Sequence, residues 1–184
     1  FHTDRTDVVA LLCIRPAENG GVSKVVSTQA IYNEILARRP DLLEVLHQDF
    51  NRSLLGQETD GGEIIHAMPV FCWRDGKFTS YYSRTYLEAA EKIDGVPPMT
   101  DIQIEALDML GEVAEELSYK MHFEPGDMQF INNHITYHAR TTFEDTKGEG
   151  RLLHRLWLSM SNGRVLPESY KILWGTVESG PVRG

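Results

Sequence analysis

A histidine and a carboxylate stand two residues apart near the start of the chain, in the stretch FHTD. In extended backbone, residues i and i+2 project from the same face, so His2 and Asp4 can converge on one point. Two histidines and one carboxylate on one face of the metal are the ligands of non-haem ferrous sites. Chance also produces H-x-D pairs, so the pair predicts part of a metal site only if a histidine from elsewhere completes it.

Four histidines lie in or near a second polar cluster far downstream: His122, His134, His138 and His154. His134 and His138, in the stretch NNHITYHAR, have the same strand parity, so both would project from one face of a strand. Spacing therefore leaves the choice of a third ligand open.

Two arginines follow this cluster in the stretch RLLHRLWLS. Arg151 and Arg155 are four residues apart, so in a strand both side chains project from one face, separated by roughly two repeats of about 6.6 Å. Cations directed into one cavity repel each other unless anions lie there. A guanidinium suits a bidentate carboxylate contact. The alternative is a solvated face on which both arginines pair with nearby carboxylates.

Short strands and a few helices are predicted to position these residues. Asp7–Ile14 is apolar at both parities, which indicates a strand buried on both faces. Asp75 and Gly76 predict a tight hairpin turn. Thr100 and Gln103 form a capping-box pattern before a helix. The apolar stripe of that helix consists of Ile104, Leu107, Leu110, Val113, Ala114 and Leu117.

The remaining pattern favours one mainly β domain. A strand with Leu152, Leu156 and Leu158 among its apolar members is predicted near the end of the chain. The segment NRSLLGQETDGGE (51–63) lacks periodicity and is predicted to be a loop. Many short strands with a few helices are typical of a β-sandwich or jelly roll with helical insertions.

Composition narrows the classes of function. The chain has 184 residues, of which 41% are hydrophobic, enough for one domain with a core. A net charge of −9 with dispersed basic residues argues against a nucleic-acid partner. No apolar stretch approaches the roughly 20 residues that cross a membrane. Cys13 and Cys72 lie in apolar runs and are predicted to be buried thiols, which favours a reducing, cytoplasmic setting.

The ordered stretches HTD, GGVS, NNHITYHARTTFED and RLLHRLWLS, followed by LPESYKILWGTVESGPVRG, resemble the successive motifs of the taurine dioxygenase-like (TauD/TfdA) oxygenases. The resemblance spans essentially the whole chain. It implies an α+β, mainly β fold, a double-stranded β-helix (jelly roll) with helical insertions, in a single catalytic domain over 1–184. Family members carry a further segment before the H-x-D motif, so the chain is expected to lack the N-terminal part of the fold.

The resemblance also implies a metal site. In the family, the H-x-D pair and a distal histidine in a context like H-A-R bind Fe(II), so the implied ligands are His2, Asp4 and His138. A carboxylate ligand leaves no room for the halide of related halogenases, so hydroxylation is expected. Asn133 is expected either to support the iron site by hydrogen bonding or to form a turn.

The implied co-substrate is 2-oxoglutarate. Arg151 is expected to hold its distal carboxylate, with help from the Ser23 hydroxyl in GGVS, where a threonine is more usual in the family. Arg155 occupies the position of a second cofactor contact or a contact to the anionic group of the substrate.

Aromatic residues give weaker signals. Tyr81, Tyr82 and Arg84 are expected either to line the pocket or, for the tyrosines, to belong to the core. Trp157 and Trp174 are expected to be packing residues.

The implied function is oxidation of a small organic molecule, with release of succinate and CO2. Its substrate is expected to carry a carboxylate or sulfonate, and homo-oligomerisation is left open. The alternative is a non-catalytic jelly-roll protein that binds a metal or a ligand, for which a buried cofactor contact at Arg151 would be unnecessary.

Overall fold

A computed structural model describes residues 1–54, 65–145, 148–180 and 183 of the chain. The strands, in chain order, are β1 Val8–Arg15, β2 Asn19–Gly20, β3 Ser23–Ser27, β4 Phe50–Ser53, β5 Ile65–Met68, β6 Phe71–Arg74, β7 Lys77–Ser80, β8 Tyr119–Met121, β9 Met128–Asn132, β10 Thr136–Arg140, β11 Phe143–Glu144 and β12 Leu152–Leu158. The helices are α1 Thr28–Arg38, α2 Pro40–Leu46, α3 Arg84–Ala90, α4 Asp101–Leu117 and α5 Lys171–Trp174, with a 3₁₀ turn at Glu168–Tyr170.

Two three-stranded antiparallel sheets form the jelly roll. One has the order β12-β1-β9 and the other the order β10-β3-β8. Strands adjacent in these sheets are far apart in sequence, as β1 and β12 illustrate. The mainly β fold with helical insertions predicted from the sequence is confirmed, and it brings the two ends of the chain together.

Helices α1 and α4 pack against β3 of the second sheet, and α3 packs against β4. Tyr32 of α1 also contacts Phe71 and Phe78 of the β6–β7 hairpin. Ser27 caps α1 by accepting a hydrogen bond from the Ala30 N–H at 3.3 Å. Thr100 and Gln103 form the predicted capping box of α4, each side chain bonding to the backbone of the other. The stripe of α4 is buried at Leu107, Leu110, Val113 and Ala114, whereas Leu117 is 40% exposed. Burial of this stripe joins α1, α2 and α4 in one core cluster with Val26 and Tyr137 of the sheet.

The turn Asp75-Gly76 joins β6 to β7 as predicted. Both residues have positive φ, 50° and 71°, the conformation required by a two-residue hairpin turn. The predicted loop over 51–63 is wrong at its beginning, because β4 includes Asn51–Ser53 and pairs with β5. From residue 55 onward, that prediction lies outside the described residues.

The expectation that β1 is buried on both faces holds only in part. Val9 and Ala10, which project from opposite faces, are both buried, whereas Ile14 is 40% exposed. The strand predicted near the end of the chain is β12, in which Leu152 and Leu156 are 39% and 60% exposed. Within the described residues, β12 lies at the edge of its sheet.

The two cysteines, Cys13 and Cys72, are free and buried, as predicted. Among the described residues, no helix has the length and apolar character needed to span a membrane.

Candidate metal centre and adjacent cleft

Backbone pairing places His2 opposite His138. The His2 N–H donates to the His138 carbonyl at 3.0 Å, and the His138 N–H donates to the His2 carbonyl at 3.1 Å. His138 is the central residue of β10, whose other edge pairs with β3. The two imidazole rings therefore lie side by side, with centroids 4.3 Å apart.

Asp4 completes a three-residue cluster. Its Oδ1 lies 3.6 Å from His2 Nε2, and its Oδ2 lies 3.9 Å from His138 Nε2. One ligand atom from each residue lies within 4.8 Å of the other two. Two donors that each lie about 2.0–2.2 Å from one ion are at most about 4.4 Å apart, so the cluster needs only a small contraction to bind one.

The donor set fits the iron implied by the sequence, since two imidazoles and one carboxylate are the ligands of a non-haem ferrous centre. Nδ1 of His138 is buried and has no hydrogen-bond partner among the residues that the structure describes. Burial lowers the pKa of both His2 and His138, and each also lies close to other cationic groups, although Asp4 opposes the shift. Neutral imidazole is the form that binds metal, so the site is prepared for a cation at neutral pH.

Two side chains from β12 orient the Asp4 carboxylate. The indole N–H of Trp157 donates to Oδ2 at 3.0 Å, and Arg155 Nη1 lies 3.4 Å from the same oxygen. These contacts leave Oδ1 facing His2. The expectation that Trp157 is a packing residue is wrong, because the residue is 43% exposed and its indole N–H contacts Asp4. The i, i+2 spacing of Arg155 and Trp157 on one strand is the signal that could have revealed this role.

Asn133 holds the backbone that carries the H-x-D pair. Its Oδ1 accepts from the Asp4 N–H at 3.1 Å, and its Nδ2 donates to the carbonyls of Asp4 and Thr6. The residue is 1% exposed and lies in the turn between β9 and β10. Asn133 therefore lies in a turn and also supports, by hydrogen bonding, the backbone that carries Asp4.

His134 is engaged elsewhere. Its Nε2 lies 2.7 Å from Asp7 Oδ1, and Asp7 also accepts hydrogen bonds from the Met160 N–H at 2.9 Å and from the Arg183 guanidinium. All but Met160 are buried. His154 and His122 are exposed and lie outside the cluster. Of the four histidines that the sequence left open, the structure brings only His138 to the H-x-D pair.

A cleft of about 640 Å³ opens beside the cluster. Its lining includes His2, Asp4, Tyr81 and Trp157 together with several arginines. Tyr81 is 4% exposed, so it belongs to the core while one part of it faces the cleft. Tyr82 is buried in the helical core cluster, and Trp174 packs in a second cluster, as expected of core residues.

Ser23 and Arg151 approach the same end of the second sheet. Ser23 is buried at the start of β3, opposite Arg140 of β10. A Cβ built on Gly21, which has φ of 66°, would lie 3.4 Å from Arg151 Nε. Arg151 also stacks on Phe143, with Cζ 5.3 Å from the ring centroid. The Arg151 side chain thus passes close to Gly21, two residues from Ser23.

The two arginines differ in surroundings. Arg155 contacts the Asp4 carboxylate and lines the cleft. Arg151 precedes β12 and lies at Phe143, with its backbone N–H bonded to Asp145 at 2.8 Å. Burial and the neighbouring Arg140 lower the pKa of Arg151, as expected for a cation with too few anions around it.

Comparison with known proteins agrees with this architecture. Residues 1–157 match the profile of the "Taurine catabolism dioxygenase TauD, TfdA family". The chain belongs to this family. FR-33289 synthase from Streptomyces rubellomurinus is 31% identical over 183 residues, covering 95% of the chain and 54% of that protein. Taurine hydroxylase-like protein SAT17 from Stachybotrys chartarum is 34% identical over 161 residues, covering 86% and 41%. The chain thus spans about half the length of the curated relatives that it matches.

Solved structures show the same fold. An asparagine oxygenase, in complex with Fe(II), hydroxyasparagine and succinate, has a TM-score of 0.67 and 20% identity, covering 86% of this chain and 49% of its own. The non-haem iron oxygenase OrfP, in complex with Fe and alpha-ketoglutaric acid, has a TM-score of 0.60 and 18% identity, covering 84% and 45%.

Proposed function

We propose that residues 1–184 act as a single catalytic domain of an Fe(II)- and 2-oxoglutarate-dependent oxygenase. It hydroxylates or otherwise oxidises a small anionic organic molecule and releases succinate and CO2. The observation that carries the proposal is the convergence of His2, Asp4 and His138 within 4.8 Å of one another beside a cleft of about 640 Å³. Family membership supports it, as do the ligands bound in the asparagine oxygenase and OrfP structures.

In this proposal, His2, Asp4 and His138 hold the iron. Bound iron supplies the activation of dioxygen that couples decarboxylation of 2-oxoglutarate to oxidation of a C–H bond. The chain itself supplies position: Trp157 and Arg155 fix the rotamer of the Asp4 carboxylate through its Oδ2.

Arg151 and Ser23 are proposed to hold the distal carboxylate of 2-oxoglutarate. Support comes from the path of Arg151 over Gly21 and from the burial of Ser23 nearby. A guanidinium that is partly removed from water and has a cationic neighbour gains a counter-ion when a carboxylate binds. Arg155 is proposed as a second contact on the metal side of the cofactor.

Metal binding tests the ligand assignment directly. Isothermal titration with Fe(II) under anaerobic conditions is expected to show one site, which is lost in His2→Ala, Asp4→Ala and His138→Ala. The matched control is His154→Ala, which removes an exposed imidazole outside the cluster and is expected to bind as the wild type does.

His134→Ala separates the two histidines that share strand parity. It is expected to lower stability, because it breaks the contact with Asp7, yet to keep Fe(II) affinity within a few-fold under conditions where it remains folded. Loss of the metal in His134→Ala with retention in His138→Ala would reverse the assignment. Succinate formation from 2-oxoglutarate by the loaded wild type tests the reaction, and its absence would favour a non-catalytic binding protein.

A further inference from the structure

The cleft beside the candidate metal centre has an unusual balance of charge for an acidic protein. The whole chain carries −9, but in the part of the chain that the structure describes, the charged side chains lining the cleft are Arg5, Arg84, Arg155 and a single carboxylate, Asp4. An excess of cations inside a concave, partly desolvated surface attracts anions. An arginine can bind such an anion only if its guanidinium is not already paired with a carboxylate of the protein.

Arg84 is already neutralised. Its Nε lies 2.9 Å from Glu88 Oε1, and its Nη1 lies 2.6 Å from Asp108 Oδ1. Glu88 lies one turn further along α3 and Asp108 lies in α4, so one contact of the guanidinium is within α3 and the other attaches α3 to α4. Arg84 therefore contributes to the wall of the cleft rather than to ligand binding.

Arg155 is also engaged. Its Nη1 lies 3.4 Å from Asp4 Oδ2, and its Cζ lies 5.6 Å from the centroid of the Trp157 ring. Moving Arg155 to a substrate would release the oxygen that it helps to orient. This geometry suits a role in positioning Asp4 better than a role in anchoring a substrate.

Arg5 remains. Among the described residues it has no carboxylate within salt-bridge distance, and its Nε is buried without a hydrogen-bond partner. It follows Asp4 in the chain and lines the same cleft, next to Tyr81. The Arg5 side chain as a whole is half-buried, so its charge is only partly solvated, and an anion bound in the cleft would supply the counter-ion that it lacks.

We infer that Arg5 is the specificity-determining residue that binds the anionic head group of the substrate, a carboxylate, sulfonate or phosphonate. The inference rests on the proposed function, because it assigns to Arg5 the orientation of the substrate beside the iron. Tyr81, Tyr86 and Trp157 line the same cleft and provide aromatic surface for a small organic body.

Anion binding tests this without any turnover. Methylphosphonate, methanesulfonate and acetate are titrated calorimetrically at constant ionic strength into the protein without added iron or 2-oxoglutarate. Arg5→Gln is expected to weaken the best-bound probe by roughly tenfold to a hundredfold, as the loss of a hydrogen bond to a charged group predicts. Arg5→Lys is expected to recover part of the affinity, because it keeps the charge and loses the planar fork.

Arg15→Gln is the control variant, and Arg155→Gln tests the alternative that Arg155 is the anion contact. Arg15→Gln removes the same charge at an arginine that pairs with the exposed Glu149 outside the cleft, and it is expected to bind the probes as the wild type does. Equal weakening in Arg15→Gln and Arg5→Gln would show a general charge effect and overturn the inference. So would unchanged binding in Arg5→Gln, or loss in Arg155→Gln alone. Because the titration needs no iron, its failure is distinguishable from failure of succinate formation.

Discussion

Replacement of Asp7 with Asn removes the carboxylate that joins three separate parts of the chain. Asp7 precedes β1, His134 lies before β10, and Arg183 lies near the end of the chain. All three side chains are buried, with exposed fractions of 3%, 4% and 1%. The Asn side chain has the same size, but it lacks the negative charge and keeps only one oxygen acceptor, so the change removes the counter-ion of Arg183 and part of the hydrogen bonding of Asp7.

The expected loss of unfolding free energy follows from the Arg183 charge, which the substitution leaves without its counter-ion. Breaking a buried ion pair typically costs about 3–5 kcal/mol, because the remaining charge is desolvated and uncompensated. Arg183 keeps hydrogen bonds to the carbonyls of Arg164 and Val177, which partly offset this cost. We therefore expect the free energy of unfolding to fall by about 3 kcal/mol, near the low end of that range. In a protein of this size, such a loss lowers Tm by about 6–12 °C.

Urea denaturation followed by circular dichroism measures the effect, with the midpoint shifting and the slope m unchanged. Asp94→Asn is the matched control, since Asp94 is exposed, and it is expected to unfold as the wild type does. A loss of less than about 1 kcal/mol in Asp7→Asn, the scale of an exposed ion pair, would refute the reasoning that this buried carboxylate is the counter-ion of Arg183.

Three further predictions concern pH, the co-substrate and a helix end. Burial would raise the pKa of Asp7, but hydrogen bonds from His134, the Met160 N–H and Arg183 outweigh it and lower the pKa to about 2. The resulting stability, about 2 kcal/mol, is present above roughly pH 4 and lost as the pH falls towards 2, so urea midpoints should fall over this window in the wild type more than in Asp7→Asn. Arg151→Ala should raise the KM for 2-oxoglutarate roughly thirty-fold or more, and Arg151→Lys should recover part of it; an unchanged KM, measured by succinate release, would contradict the assignment. Thr100→Ala should cost about 1 kcal/mol of unfolding free energy by loss of the α4 cap, with an unchanged urea midpoint as the contrary result.

Several features of this protein could be predicted from its sequence, because they depend on interactions between residues that are close together in the chain. The H-x-D pair projects from one face because of the two-residue repeat of extended backbone. The α4 cap and the Asp75-Gly76 turn depend on interactions within a few residues, so their patterns predict them directly. Burial in β12 was harder to predict, because a strand at a sheet edge has the same apolar composition as one at its centre.

The resemblance to the family, but not the spacing of the residues, pointed to His138 rather than His134, and the tertiary structure gives the physical reason. Their strand parity is equal, and what separates them is pairing across more than a hundred residues: β10 aligns His138 with His2, whereas the turn before β10 directs His134 to Asp7. The contact between Trp157 and Asp4 could not be predicted from spacing either, because it depends on the pairing of β12 with β1. Register between distant strands depends on which face of each strand the whole fold buries, and the parity of two histidines on one strand does not specify it.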